Sequence, residues 1–247
     1  MTEFTIGIAE KNIRICAMHP HAREFCELYL TDAEPDFTVM IVPEDIEFER
    51  AKSAREDEVE GIPVREFTDD YLETLAIYRK IVEKMVDYGA FLFHGSAVAV
   101  DGEGYLFTAK SGTGKSTHTR RWRKYYGKRC ITVNDDKPLL LVKDDAVMIC
   151  GTPWDGKHRL SANVMVPMKG LIWLERGDVN EINPISVSEA LPMLLQQTYR
   201  PSNPLLMTKT LQLVDKMTKI VGLYRLNCNM HLDSARVAYE GMQRKDN

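Results

Sequence analysis

A glycine-containing loop carries the strongest chemical signal in the chain. It covers residues 109–117 and stands between a predicted strand and a predicted helix, which is the context in which such loops bind phosphate. Gly112 and Gly114 would let backbone amides converge on phosphate oxygens, and the positive end of the following helix would add to the attraction. The first position of the motif, usually glycine, is Ala109. The spacing predicts a nucleoside triphosphate site.

Two side chains of this loop would complete the site. Lys115 would place its charge on the β- and γ-phosphates, and Ser116 would offer its hydroxyl to Mg²⁺. We therefore expect ATP and Mg²⁺ to bind here. The residues predicted to bind the nucleotide are Ser111, Gly112, Thr113, Gly114, Lys115, Ser116, Thr117, Lys157 and Arg159.

Two adjacent carboxylates follow an apolar strand downstream of the loop. Adjacent side chains on a strand point in opposite directions, so one carboxylate would reach the metal while the other approaches an acceptor hydroxyl. Asp135 and Asp136 are both catalytic candidates, and Asp135 is taken with Ser116 as a predicted metal ligand. A polar turn before Pro138 is the alternative interpretation.

A histidine interrupts an apolar segment just upstream of the loop. His94 lies in a strand predicted over residues 90–100 and is followed by Gly95. A lone histidine in such a strand is usually a satisfied core residue. The next hairpin returns the chain to the phosphate loop, however, so His94 is also a candidate for tuning a carboxylate or carrying a proton. Both interpretations stay open, and His94 and Lys115 complete the catalytic candidates.

A turn-rich segment at residues 151–159 carries three cationic side chains, Lys157, His158 and Arg159. Cations bounded by glycines suit a mobile lid that brings charge to a transferring phosphoryl group. A solvated basic turn explains the same residues equally well. The basic run at residues 120–129 is interpreted as a solvated helix face, with a docking patch for an acidic partner as the alternative.

The elements that must position these residues follow from the apolar periodicity. Strands are predicted at residues 4–8, 12–17, 37–42, 90–100, 105–108, 130–133, 139–142, 147–150, 170–174 and 223–227, and helices at 21–30, 68–88, 116–126, 187–199, 205–221 and 232–243. Residues 44–60 are interpreted as a solvated helix or a connector. Hairpins cluster around the loop, which favours a mixed sheet over a doubly wound parallel one. We predict a small α+β domain at residues 1–66 and a nucleotide-binding catalytic domain at 67–247.

Composition narrows the class of protein. The 247 residues are 44% hydrophobic and 28% charged, with a net charge of −4, so nothing predicts an overall attraction to nucleic acid or to an anionic membrane. The five cysteines are scattered and are interpreted as reduced thiols. The amino terminus lacks a leader pattern and no long apolar run is present, so we expect a cytoplasmic protein.

Taken as a set, these residues resemble the HPr kinase/phosphorylase family, which shares a phosphate-loop core with ATP-dependent phosphoenolpyruvate carboxykinase. The resemblance rests on His94 with Gly95, the loop at residues 111–116, Asp135 with Asp136, and the segment at residues 151–157. It covers residues 90–247. It implies an α/β fold with a mixed-sheet P-loop kinase core.

The resemblance also implies an activity. ATP with Mg²⁺ would be the donor, Lys115 would hold the β- and γ-phosphates, one of the two aspartates would act as the base, and His94 would support it. The acceptor would be a hydroxyl, such as a serine of a peptide, a protein or a small molecule, and a homo-oligomer fits the resemblance. The alternatives are a nucleotide-responsive peptide-binding module and an ATPase that transfers no phosphoryl group to an acceptor.

Overall fold

A computed structural model describes residues 1–110, 113–156, 158–229 and 231–243. By its internal contacts the chain divides into two units, Met1–Lys84 and Met85–Asn247. The first unit extends past the boundary predicted at residue 66 and takes in nearly all of the amphipathic helix that the sequence analysis assigned to the second domain.

The first unit contains a three-stranded sheet. Strands β1 (Thr2–Ile8) and β2 (Lys11–Ala17) pair antiparallel, and after helix α1 (His21–Phe25) strand β3 (Phe37–Met40) pairs parallel with β2. The helix predicted over residues 21–30 is shorter than expected, because α1 ends at Phe25 and a separate 3₁₀ turn covers Glu27–Tyr29. The strands alternate buried and more exposed positions, as expected of a sheet with one covered face.

Two long helices complete this unit. Helix α2 (Pro43–Glu60) has proline at its first position and ends at Gly61, whose φ of 69° fits a left-handed cap. Residues 44–60, interpreted from the sequence as a helix or a connector, therefore form a helix. Helix α3 (Asp69–Met85) buries apolar residues at helical spacing, among them Leu72, Ile77 and Ile81.

The second unit is built on a mixed sheet. Its elements are β4 (Ala90–Leu92), β5 (Ser96–Val100), β6 (Glu103–Thr108), α4 (Lys115–Tyr126), β7 (Cys130–Asn134), β8 (Leu139–Val142), β9 (Val147–Cys150), β10 (Met165–Arg176), β11 (Glu181–Pro184), α5 (Val187–Gln197), α6 (Pro204–Thr218), β12 (Gly222–Cys228) and α7 (Asp233–Gln243). The strand order is β4-β8-β9-β10-β6-β5-β7, with β12 also on β10 and β11 on β12. Strand β10 is parallel to β6 and β12, and the other pairs are antiparallel. The predicted mixed α/β sheet is confirmed.

Strand β10 is longer than the predicted strand at residues 170–174 and accounts for the shape of the sheet. Its first residues pair with β9, and after a register shift between Met168 and Gly170 its remainder pairs with β6 and β12. One strand thus belongs to two differently oriented parts of the sheet, which curls it. Strand β11 was not predicted, because its side chains are mostly exposed and only Ile182 packs on a core cluster.

The strand predicted over residues 90–100 is wrong as a single element. It breaks between Leu92 and Ser96, and the intervening backbone bonds elsewhere: the amides of His94 and Gly95 donate to the carbonyls of Gln197 (2.8 Å) and Asp136 (3.0 Å). Gly95 allows this close approach, because a Cβ there would lie 2.9 Å from the carbonyl oxygen of Phe107. The break places His94 outside the regular sheet.

Two core clusters hold the second unit together. One contains Trp122 of α4, whose ring packs 4.8 Å from that of Tyr105 and 5.2 Å from that of Phe107, between centroids. The other packs α5 and α6 through Leu194, Met217 and their apolar neighbours. No helix within the described ranges has both the length and the apolar character required to cross a bilayer.

Candidate functional site

The junction between β6 and α4 positions the phosphate loop. Helix α4 begins at Lys115, directly after Gly114, whose φ of 116° is one that residues with a Cβ rarely adopt. The amide of Thr113 donates to the carbonyl of Lys110 (3.1 Å). The predicted site residues Ser111, Gly112 and Lys157 lie outside the described residues.

A cavity of about 420 Å³ opens at this junction. Its lining is His94, Lys110, Gly114, Lys115, Ser116, Thr117, Asp135, Asp136, Gly156 and His158. The four catalytic candidates therefore share one cavity with the start of α4, although they come from three separate parts of the chain. This volume lies within the range of small-molecule sites, roughly 300–1,000 Å³.

Asp135 is held close to the first turn of α4. Its Oδ1 accepts a hydrogen bond from Thr119 Oγ1 (3.3 Å), and the same hydroxyl lies 3.2 Å from the carbonyl oxygen of Ser116. Its backbone carbonyl accepts from Ser96 Oγ (2.9 Å). These contacts place the Asp135 carboxylate beside the first turn of α4, which contains Ser116.

Asp136 points toward a different set of partners. His94 Nε2 lies 3.2 Å from its Oδ1, and the ammonium of Lys137 forms an ion pair with its Oδ2. Burial raises the pKa of Asp136, but the hydrogen bond from His94 and the charge of Lys137 lower it more, so the pKa lies well below the usual aspartate range. Asp136 is therefore ionised throughout the neutral range.

Lys115 is the first residue of α4, and its ammonium interacts electrostatically with both carboxylates. Burial lowers the pKa of its ammonium, while the negative charges of Asp136 and Asp135 oppose that shift. A phosphate chain in the cavity would add negative charge near Lys115 and favour its protonated form.

Asn134 fixes the carboxylate pair and was not among the predicted site residues. This fully buried side chain accepts from the amides of Asp136 (2.9 Å) and Lys137 (2.7 Å), and its Nδ2 donates to the carbonyl (3.1 Å) and the hydroxyl (3.0 Å) of Thr152. Thr152 Oγ1 in turn donates to the carbonyl of Lys137 (2.9 Å). The sequence feature that could have identified Asn134 is its position at the end of an apolar strand, directly before two aspartates.

Two of the described residues in the segment at residues 151–159 line the cavity. Gly156 and His158 line it, whereas Arg159 is not in its lining. The Arg159 guanidinium instead contacts its own loop, at the Pro153 carbonyl (3.3 Å) and Asp155 Oδ1 (3.7 Å). Its role in nucleotide binding stays a prediction.

Thr113, a predicted nucleotide-binding residue, lies outside the lining of this cavity, and Trp154 is buried with 4% of its surface exposed. Lys110 and Lys137 were missed. Both lysines lie next to motif residues, at positions where the motif does not require a particular residue type.

The first cavity contains oxygen atoms that could bind Mg²⁺. No cluster of three or more histidine, cysteine, aspartate or glutamate side chains suited to a metal occurs among the residues that the structure describes. Mg²⁺ at a nucleotide site is usually held by one or two protein oxygens with phosphates and waters, so it does not need such a cluster. The Ser116 hydroxyl and the Asp135 carboxylate are hard oxygen donors in one cavity, and they fit this ion.

Comparison with known families decides the assignment. The family model for the SynChlorMet cassette protein ScmC matches residues 64–232. The chain belongs to the ScmC family. The match includes all of the predicted site residues of this ScmC-family chain.

Other comparisons add little to that assignment. No curated protein matches the sequence. A solved structure of the Hpr(Ser) kinase/phosphatase from Coxiella burnetii aligns over 61% of this ScmC-family chain and 95% of its own, at 11% identity and a TM-score of 0.33. That similarity is distant. The expected resemblance to HPr kinase therefore rests on the motif residues.

Proposed function

We propose that this chain is an ATP-dependent phosphotransferase that moves the γ-phosphoryl group of ATP to a hydroxyl. The observation that carries the proposal is the shared cavity. There the start of a helix, a lysine and two carboxylates with different surroundings face the same space. Phosphoryl transfer requires mainly positioning and neutralisation of charge, and these groups are suited to both.

The phosphate chain would lie across the start of α4. The amides after Gly114 and the helix dipole attract anions, and Lys115 carries the positive charge for the β- and γ-phosphates. Ser116 and Asp135 would hold Mg²⁺, which would supply positive charge to balance the charge that develops on the transferring group. The short link from Asp135 through Thr119 to the first turn of α4 supports Asp135 as the residue on the metal side.

Asp136 would then face the acceptor hydroxyl. In the transfer, the hydroxyl oxygen forms a bond to the γ-phosphorus, the bond from that phosphorus to the bridging oxygen breaks, and ADP leaves with the electron pair. The hydroxyl proton passes to the Asp136–His94 pair. Because the pKa of Asp136 is low, this carboxylate would mainly orient the hydroxyl, and the contact with His94 gives the proton a second site.

The family suggests where to look for the acceptor. ScmC is named for a cassette, and proteins encoded together in a cassette commonly act on a shared substrate. We infer that the acceptor is a serine hydroxyl of a peptide or small protein encoded beside this chain. The proposed setting is the cytoplasm, where ATP and Mg²⁺ are available.

The test is transfer from radiolabelled ATP. Purified protein, Mg²⁺ and γ-labelled ATP are incubated with each peptide encoded by the neighbouring genes, and label and intact mass of the peptide are followed. We expect the mass of one phosphate on one peptide. Lys115→Ala should reduce transfer by at least roughly 100-fold, because the phosphate charge loses its partner in a partly buried site.

Lys124→Ala is the matched control, since Lys124 is an exposed lysine on the same helix outside the cavity lining. It should transfer like the unchanged protein. Label that appears only in water would indicate an ATPase, and ATP binding without any turnover would indicate a nucleotide-responsive binding module. Either result contradicts the proposal, as does transfer that is unaffected by Lys115→Ala.

A further inference from the structure

A second cavity adjoins the phosphate site at the first turn of α4. It has a volume of about 380 Å³ and lies between the start of α4 and the ends of β10 and β12. Its lining is Thr113, Gly114, Thr117, His118, Arg121, Leu174, Arg176, Gly177, Asp178, Cys228 and Asn229. Gly114 and Thr117 line both cavities, so the two spaces meet at the first turn of α4.

The chemistry of this second cavity differs from that of the first. It has none of the catalytic candidates in its lining. Two arginines, Arg121 and Arg176, share the lining with the apolar residue Leu174, and Asp178 is an exposed lining residue. Guanidinium planes stack on flat rings, apolar walls cover ring faces, and a carboxylate accepts from sugar hydroxyls.

Hydrogen bonds hold the polar wall of the cavity in place. Arg121 donates through Nη1 to the carbonyl of Asn229 (3.0 Å), and Asn229 Nδ2 donates to the carbonyl of Asp178 (3.0 Å). The Asn229 amide donates to Asn180 Oδ1 (3.0 Å). The helix and both strand ends are therefore connected through one asparagine, and little ordering would be required when a ligand binds.

His118 supplies an independent sign of a ligand. The residue is 1% exposed, and its Nε2 accepts from Trp122 Nε1 (3.0 Å), so the hydrogen of the neutral ring lies on Nδ1. Nδ1 has no hydrogen-bond partner among the residues that the structure describes. A buried donor of this kind is costly unless it is satisfied, and His118 belongs to the cavity lining.

We propose that the second cavity binds the nucleoside half of the nucleoside triphosphate, with Arg121 and Arg176 against the base and Asp178 and His118 on the sugar side. The direction of the phosphate chain supports this placement. Lys115, Asp136 and His94 mark the γ-phosphate end in the first cavity, so the opposite end, which carries the nucleoside, leads past Thr117 into the second. This assignment rests on the proposed function, since it uses the same triphosphate.

The test compares two ligands by calorimetry in the presence of Mg²⁺. One is ATP, and the other is methyl triphosphate, which has the same phosphate charges and no nucleoside. We expect the unchanged protein to bind ATP at least about tenfold more tightly. Arg176→Ala should weaken ATP binding roughly 5- to 30-fold, the range of a lost guanidinium–ring contact, and leave methyl triphosphate unaffected.

A second variant fills the cavity instead of removing a contact. Cys228 is a half-buried lining residue at the end of β12, and Cys228→Trp should reduce the affinity for ATP to that for methyl triphosphate. Arg236→Ala is the matched control, because Arg236 is a surface arginine of α7 that pairs with Asp233 and Glu240 outside the cavity. It should bind both ligands normally.

The outcomes separate this proposal from the one on which it rests. Equal affinities for the two ligands in the unchanged protein, or ATP binding unaffected by both cavity variants, would overturn the nucleoside site and leave the phosphate site intact. Lys115→Ala should weaken both ligands. If neither ligand binds the unchanged protein, or if Lys115→Ala changes neither affinity, the phosphate site itself is wrong and the nucleoside site fails with it.

Discussion

The surroundings of Asp136 determine the ionisation of its carboxylate and suggest its role in the transfer. The pKa of Asp136 is low because the hydrogen bond from His94 and the charge of Lys137 outweigh the effect of burial. Asp136→Asn keeps the shape of the side chain and removes the charge and the proton acceptor. We expect transfer to fall by roughly 100- to 10,000-fold, with the Kd for ATP nearly unchanged, measured by single-turnover kinetics and calorimetry.

Asp145→Asn is the comparison variant for this experiment, since Asp145 is exposed in the turn between β8 and β9. It should behave like the unchanged protein. A large loss of ATP affinity in Asp136→Asn, with transfer preserved at saturating ATP, would assign Asp136 to nucleotide binding instead of to the acceptor.

His118 makes a prediction about stability and pH. Burial, with a smaller effect from Arg121, lowers its pKa from the ordinary 6.5 to about 3. Between pH 6.5 and 3 the unfolded chain therefore takes up a proton at this residue that the folded chain does not, so stability falls as the pH decreases through this window. The effect of His118 on the free energy of unfolding should reach about 2 kcal/mol at pH 5.

Urea unfolding of His118→Gln at pH 7 and pH 5 measures this effect. The variant should lose less stability between the two pH values than the unchanged protein. His231→Gln provides the comparison, because His231 is an exposed histidine. Identical pH dependence in all three proteins would mean that His118 is already protonated in the fold, or that it is accessible to water.

At the residue scale, motif spacing selected residues that line the first cavity, but not the residue that supports them. Lys115, Ser116 and both aspartates were selected because phosphate chemistry requires those residue types near a glycine turn, and all four line that cavity. Asn134 was missed, because its bonds to Thr152 link positions 18 residues apart, which only the fold brings together. Such long-range partners are not encoded in local spacing.

The connection between β9 and β10 shows how tightly the elements around the site are packed. A Cβ on Gly151 would lie 1.9 Å from the Ala162 carbonyl oxygen and 2.9 Å from that of Val133, both of them backbone atoms. Gly151→Ala must therefore displace backbone next to the carboxylate pair. We expect it to destabilise the second unit by roughly 2–3 kcal/mol, measured by urea unfolding.

Fluorescence is a suitable signal, because the three tryptophans, Trp122, Trp154 and Trp173, all belong to the second unit. Gly102→Ala is the comparison. Its Cβ would meet nothing within 4 Å, and only the φ of 87° opposes it, so the cost should be about 1 kcal/mol. Equal costs for the two variants would show that the contact with Ala162 relaxes easily.

At the element scale, the sequence predicted most strands and helices but not the break at residues 93–95. Apolar periodicity continues across residues 90–100, so local pattern favoured one strand. The break depends on partners far along the chain, the carbonyls of Asp136 and Gln197. Likewise, the curl of the sheet comes from the two sets of partners of β10, which a single strand pattern does not reveal.

At the scale of the molecule, every described lining residue of both cavities belongs to the second unit. Binding of ATP and Mg²⁺ should therefore slow hydrogen exchange at the start of α4, at residues 134–137 and at the ends of β10 and β12. Strands β1 and β2 of the first unit should exchange at unchanged rates. Mass spectrometry of peptic fragments, with and without ligand, measures both.

The Lys115→Ala protein should show no such protection at the same ligand concentration. Slower exchange in β1 or β2 on addition of ATP would contradict the assignment of nucleotide binding to the second unit alone. Slower exchange there only on addition of the acceptor peptide would give the first unit a role in acceptor recognition.

The side-chain amide of Asn134 limits how this protein could be engineered to accept a new hydroxyl substrate. It joins the end of β7, the backbone of the carboxylate pair and Thr152 at the start of the glycine-bounded segment. Changes to either loop will be transmitted to the other through this one side chain. Libraries that vary the two loops together, with Asn134 and Thr152 kept, should yield far more active variants than libraries that vary each loop alone.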